Sequence, residues 1–177
     1  MRLMACTVAL LLYAVPFHAQ TLSSVPPAAD VESIDAIIAA LYDVISGPAG
    51  ERDWDRFRSL FVADARLIPT GRLENGRWTP RTLSVDGYVE RAGSQFRQQA
   101  FYEDELHREV QRFGHVAHAF STYASRRAPD AEPFSRGINS IQLFWDGTRW
   151  WVVSIMWDAE RDGQVIPPEY LGRSGLR

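Results

Sequence analysis

The residue of this chain whose type and company best suit proton transfer is His107. It lies in the run Glu103, Glu105, His107, Glu109 and Gln111, and in an extended segment these alternate positions share one face while Leu106 and Val110 share the other. Imidazole changes charge nearest neutral pH, and carboxylates beside it suit it to general acid–base work. So polar a row faces either solvent or a wet pocket.

A second group consists of polar residues in apolar surroundings. Asn139 and Ser154 interrupt two apolar segments, and a two-residue turn at Asp146-Gly147 pairs them directly. Buried polar groups need partners, supplied by a hydrogen bond within the core or by a ligand or ordered water. Tyr42, late on an apolar helix, can bring a hydroxyl to the same place. A type II′ turn at Gly114-His115 pairs His107 with Thr122 and Glu109 with Phe120. The resulting expectation is one ligand cavity lined by Tyr42, His107, Thr122, Asn139 and Ser154, with His107 as base and Asn139 or Tyr42 donating to a developing oxyanion.

Other chemistries lack their residues. In a strand His115 and His118 point to opposite faces, so no metal site is expected. Ser121, Ser140 and Ser154 have no glycine-framed nucleophile elbow, and no glycine loop cradles a phosphate, so neither an acyl-serine nor a cofactor is expected. Trp145, Trp150, Trp151 and Trp157 are either core or the lining of an apolar cavity. Arg126-Arg127 and Arg136, around the Pro129 to Pro133 loop, read as a solvated rim.

The elements that must position these residues follow from periodicity. Val31, Ile34, Ile37, Ile38, Leu41, Tyr42 and Ile45 recur at helical spacing after Asp30 as cap and before Gly47-Pro48. A short helix follows Asp53, with Trp54, Phe57, Leu60 and Phe61 on one stripe, and ends before Ala63-Asp64. A hairpin spans Ala65 to Leu83 around Asn75-Gly76, and Ser84 caps a third helix reaching Ala100. Four antiparallel strands complete the series: Phe101–Phe113, Val116–Ser125, Ile138–Trp145 and Arg149–Asp158.

Composition bounds the function. The 177 residues are 46% hydrophobic and 23% charged, as in one globular domain. The 19 basic residues are all Arg, and against 22 acidic ones the net charge of −3 argues against a nucleic-acid partner. Arg2, the apolar run Leu3 to Phe17 and the small Ala19 read as a signal peptide over 1–19, shorter than a membrane span. The mature protein is then expected in the periplasm or secreted, without a membrane span. Cys6 leaves with the peptide, so no disulfide is expected. Residues 20–29 read as a linker, 30–160 as the folded domain and 161–177 as a tail.

The order of elements carries a resemblance. Asp53-Trp54-Asp55 leading to Leu60-Phe61-Val62-Ala63-Asp64-Ala65, the hairpin, the third helix and the closing Asp146-Gly147-Thr148-Arg149-Trp150-Trp151-Val152-Val153 together resemble the nuclear transport factor 2-like superfamily, in its SnoaL-like branch. The resemblance implies an α+β cone: a curved, mostly antiparallel sheet wrapped over three helices, with a pocket at the wide end. It also implies that enzymes of this kind carry a carboxylate or histidine base inside the cone, as ketosteroid isomerase does. Fold alone does not decide function. Two readings follow: an exported module that binds a hydrophobic small molecule, or an isomerase-, dehydratase- or cyclase-type acid–base enzyme on such a substrate. Homodimerisation through the outer face of the sheet is a third.

Overall fold

The computed structural model describes residues 25–172; the expected signal peptide, residues 20–24 of the linker and residues 173–177 lie outside them. A 3-10 turn (Ala28–Asp30) precedes α1 (Ile34–Ile45), α2 (Trp54–Ser59), β1 (Phe61–Arg72), β2 (Trp78–Pro80), α3 (Val85–Gln98), β3 (Tyr102–Phe113), β4 (Val116–Arg126), β5 (Ser135–Trp145) and β6 (Trp150–Ala159). The chain ends its described part in a second 3-10 turn, Pro168–Tyr170. No described helix is long and apolar enough to cross a membrane.

Side-chain caps set the helix starts. Ser33, not Asp30, begins α1 by accepting the Ala36 N–H at 3.0 Å, while the Asp30 carboxylate holds Arg56 at 2.7 and 3.1 Å. Asp53 and Ser84 cap α2 and α3 through Arg56 N and Gly87 N at 2.9 and 3.1 Å. The short helix stops sooner than its apolar stripe implies. Leu60 accepts the Val152 N–H at 2.9 Å and Phe61 pairs with Val152, so the sheet captures the chain before another helical turn forms.

The six strands lie in the order β2-β1-β6-β5-β4-β3, with β1 and β6 parallel and every other pair antiparallel. The β1–β2 hairpin turns at Asn75-Gly76, where Gly76 has φ +81°. The β3–β4 hairpin turns at Gly114-His115, with Gly114 at +55° and Phe113 opposite Val116, which gives the expected pairing of His107 with Thr122.

Two irregularities decide which side chains face inward. Opposite β4, β3 carries one extra residue at Leu106, since Glu105 pairs with Tyr123 but His107 with Thr122. The bulge exchanges the faces, so Glu103 and Glu105 lie on the concave side while His107 and Glu109 lie on the convex side. The polar row does not share one face.

The β5–β6 turn also departs from expectation. Four residues, 146–149, separate the paired Trp145 and Trp150. The Asp146 carboxylate organises them, accepting Thr148 N at 2.7 Å, Arg149 N at 2.9 Å and Trp151 Nε1 at 2.6 Å. These bonds, led by that from Trp151, hold its pKa well below the usual carboxylate range. A second bulge, between the Gln142 and Leu143 pairs, completes the shift. Asn139 therefore faces Trp157, and Ser154 faces Gln142.

The helices fill the concave side. Ile37, Ile38, Phe57, Leu60, Ile141, Leu143 and Val152 are fully buried there, each worth about 1.5–3 kcal/mol of burial. Ala117 and Ala119 keep β4 low, where larger side chains would hold the helices off. On the convex side the carboxyl-terminal segment folds back onto β4: Thr122 Oγ1 donates to the Tyr170 carbonyl at 2.5 Å and the Tyr170 ring packs edge-on against Phe120.

Candidate functional site

At the open end of the cone the helices and sheet part to leave a cavity of about 630 Å³. Much of its wall is apolar: Leu41 and Ile45 from α1, Phe57 from α2, Phe96 from α3, and Ile141, Ile155 and Trp157 from the sheet. The exposed residues Arg72, Leu73, Arg81, Arg91, Gln95 and Phe134 ring its mouth.

Among the described residues one carboxylate lines this cavity. Glu103 sits near the start of β3, where Ser46 ties the strand to the end of α1 by accepting the Glu103 N–H at 2.9 Å. The Leu106 bulge turns the Glu103 side chain inward. Ser125, opposite it on β4, donates to Oε2 at 2.7 Å, and the neighbouring Asn139 amide also favours the ionised carboxyl. No arginine pairs with it among the described residues. Burial pushes its pKa from 4.5 up to about 7, against the pull of Ser125 and Asn139, and nearby Asp104 adds to the rise. Glu103 is enclosed by protein yet partly accessible, because its open side meets the cavity.

A directed chain of hydrogen bonds leads inward from this group. Asn139 Nδ2 donates to the Tyr42 hydroxyl at 3.1 Å, Tyr42 and Ser121 Oγ lie 2.6 Å apart, and Ser121 donates to Glu105 Oε1 at 2.5 Å. Because the single Ser121 proton is used on Glu105, Tyr42 must donate to Ser121. Arg108, 3.4 Å from Glu105 and 3.0 Å from Asp35, closes the chain at the protein surface. Burial first, and the Glu103 charge with it, raises the phenols of Tyr42, Tyr88 and Tyr123 far above neutrality, so all three remain proton donors. Tyr42 is committed at both lone pair and proton. Tyr88 lines the same cavity and its hydroxyl hydrogen-bonds no described residue, leaving a donor for a ligand.

The five residues expected in one cavity divide between the two faces of the sheet. Tyr42 and Asn139 line the cavity and hydrogen-bond each other. His107 does not line it: its ring lies on the convex side beside Gly172, over Thr122, which is buried beneath Tyr170. Ser154 is also on the convex side, between Gln142 and Arg66. Of the four tryptophans, Trp157 lines the cavity, Trp150 is core with Trp145 against it, and Trp151 lies under Arg149. Spacing marked Glu103 as polar and in-strand, but its role needs Ser125, Asn139 and Tyr88, which no sequence pattern joins to it. No three His, Cys, Asp or Glu side chains gather as metal ligands among the described residues; His118 bonds Ser140 at 3.0 Å and His115 the Trp145 carbonyl at 2.8 Å.

No protein-family model matches the chain, and no curated protein matches it by sequence. Solved structures do. An NTF2-like protein of unknown function from Pseudomonas putida KT2440 superposes with a TM-score of 0.55 at 12% identity, covering 76% of this chain and 90% of that one. A protein of unknown function with a cystatin-like fold from Nostoc punctiforme gives 0.55 at 11% identity over 72% and 88%. An NTF2-like protein from Silicibacter pomeroyi DSS-3 gives 0.51 at 12% over 73% and 94%. With three helices held in a curved six-stranded sheet and a cavity at its open end, this chain has the nuclear transport factor 2-like fold.

Proposed function

We propose that the cavity performs general acid–base chemistry on a small, largely apolar molecule, with Glu103 carrying the proton. One observation carries the reading: a carboxyl in a largely apolar cavity, without a cationic partner among the described residues, whose pKa of about 7 lets it both take and return a proton at neutral pH. A group so enclosed is a stronger base than a solvated carboxylate, and the apolar walls hold a substrate carbon against it. Tyr88 supplies a neutral donor where negative charge develops on the substrate. The second reading, binding without turnover, is favoured by Tyr42, whose hydroxyl is fully used within the protein.

The deciding experiment follows α-proton exchange of a panel of cyclic ketones and enones in deuterated buffer by NMR. The protein should accelerate exchange of at least one of them, with a rate that rises with pH and levels above about 7, and Glu103→Gln should abolish the acceleration. Ligand binding with equal exchange in protein and variant would leave the binding reading in its place. Export to the periplasm or medium and pairing of two copies through the convex face are part of the same proposal, resting on residues 1–19 and on the exposed Phe144, Val153 and Met156.

A further inference from the structure

Three arginines, Arg72, Arg81 and Arg91, stand at the mouth of the cavity, the first two from the β1–β2 hairpin region and the third from the outward side of α3. Elsewhere the arginines of this acidic chain are largely committed. Arg56, Arg58, Arg97, Arg108, Arg126, Arg136 and Arg161 form ion pairs, and Arg52, Arg66, Arg112, Arg127 and Arg149 donate to backbone carbonyls; among the described residues none of the three at the mouth has an acidic partner. Among the described residues the Arg72 side chain bonds only the Gly76 carbonyl, at 3.2 Å, and the guanidinium groups of Arg81 and Arg91 hydrogen-bond none. The carboxylate that lines the cavity among the described residues, Glu103, lies in its interior. Net negative chain and uncompensated positive mouth point in opposite directions, so the mouth is not a sample of the average surface.

We infer that the cavity takes an amphipathic organic anion, its apolar body against Phe96 and Trp157 and its carboxylate, sulfonate or phosphate among Arg72, Arg81 and Arg91. The inference rests on the proposed function for the role of the interior and adds the class of substrate. An anion seated beside Glu103 would oppose ionisation of that group, while one held at the mouth leaves Glu103 to act on the apolar part and fixes which end of the ligand enters first. Exposed guanidinium groups also draw anions toward the opening before contact.

Two fluorescent probes with one apolar skeleton separate the claims: 1-anilinonaphthalene-8-sulfonate, an anion, and N-phenyl-1-naphthylamine, its neutral counterpart. Titrated into the full-length protein, the sulfonate should bind about tenfold more tightly, since an exposed charge pair is worth up to about fivefold and at least two are available. The double variant Arg81→Gln/Arg91→Gln should bring the sulfonate to within about twofold of the neutral probe and leave the neutral probe unchanged, which also reports that the variant is folded. Raising the salt to about 0.5 M should weaken the sulfonate alone. Equal affinity of both probes, or a sulfonate preference that survives the double variant, overturns the anion inference while leaving the cavity reading intact. Failure of both probes to bind would instead contradict the ligand-binding cavity on which the proposed function rests.

Discussion

Replacing Glu103 with Gln should make the protein more stable at neutral and alkaline pH. The carboxyl titrates at 4.5 when solvated and at about 7 in the folded cavity. As pH rises between these values the unfolded chain ionises first, so the folded state binds the extra proton and its stability falls with pH. The loss begins near 4.5, is complete above about 7, and amounts to about 3 kcal/mol at about 1.4 kcal/mol per pH unit. Gln keeps the carbonyl oxygen that accepts from Ser125 and carries no charge to desolvate. Urea unfolding of protein and variant at intervals from about pH 4 to about pH 8.5 isolates the effect, because every other titrating group cancels in the difference. The variant's advantage should be near zero at the acid end, grow through the interval and flatten above about pH 7, reaching about 6–12 °C if read as a melting temperature. A difference that stays flat with pH, or that favours the native Glu as pH rises, would refute a buried, unpaired Glu103.

Other perturbations test neighbouring parts of the account. A Cβ at Gly137 would meet the Asp158 carbonyl at 2.2 Å and the Tyr123 hydroxyl at 2.5 Å, so Gly137→Ala should cost about 2 kcal/mol or more in denaturant unfolding. Tyr42→Phe leaves the Asn139 N–H without its 3.1 Å acceptor and should cost about 1–3 kcal/mol by the same measurement. His107→Ala should leave binding of N-phenyl-1-naphthylamine unchanged, since the ring lies on the convex face; a several-fold loss of affinity would place it in the cavity after all.

Features encoded by contiguous residues were legible in the sequence. Ser84 before an apolar stripe, Asn75-Gly76 between strands and Gly114-His115 at a hairpin each act on backbone within a few residues, and the structure realises all three. The order of these elements was enough to point to the cone. The site is harder to read because bulges break strict alternation along β3 and between β5 and β6. One extra residue at Leu106 turns His107 outward and leaves Glu103 inward, and nothing in the string Glu-Leu-His announces it. The Asp146-Gly147 pair likewise suggests a two-residue turn, but the Asp146 carboxylate gathers the Thr148 and Arg149 N–H groups into a longer one and shifts Asn139 away from Ser154. Asp30 and Ser33 both suit a helix start; Arg56, 26 residues from Asp30, draws the aspartate away. Glu103 becomes unusual only when α1, α3, β4 and β5 close around it, and that is a property of tertiary packing.

Carbon-13 NMR of the protein labelled at the glutamate carboxyl carbons, with Glu103→Gln used to assign the signal, follows the ionisation of Glu103 itself. A carboxyl resonance that titrates near pH 7 and vanishes in the variant is the expected result. A Glu103 resonance that titrates near 4.5, the value of a solvated carboxyl, would contradict the account.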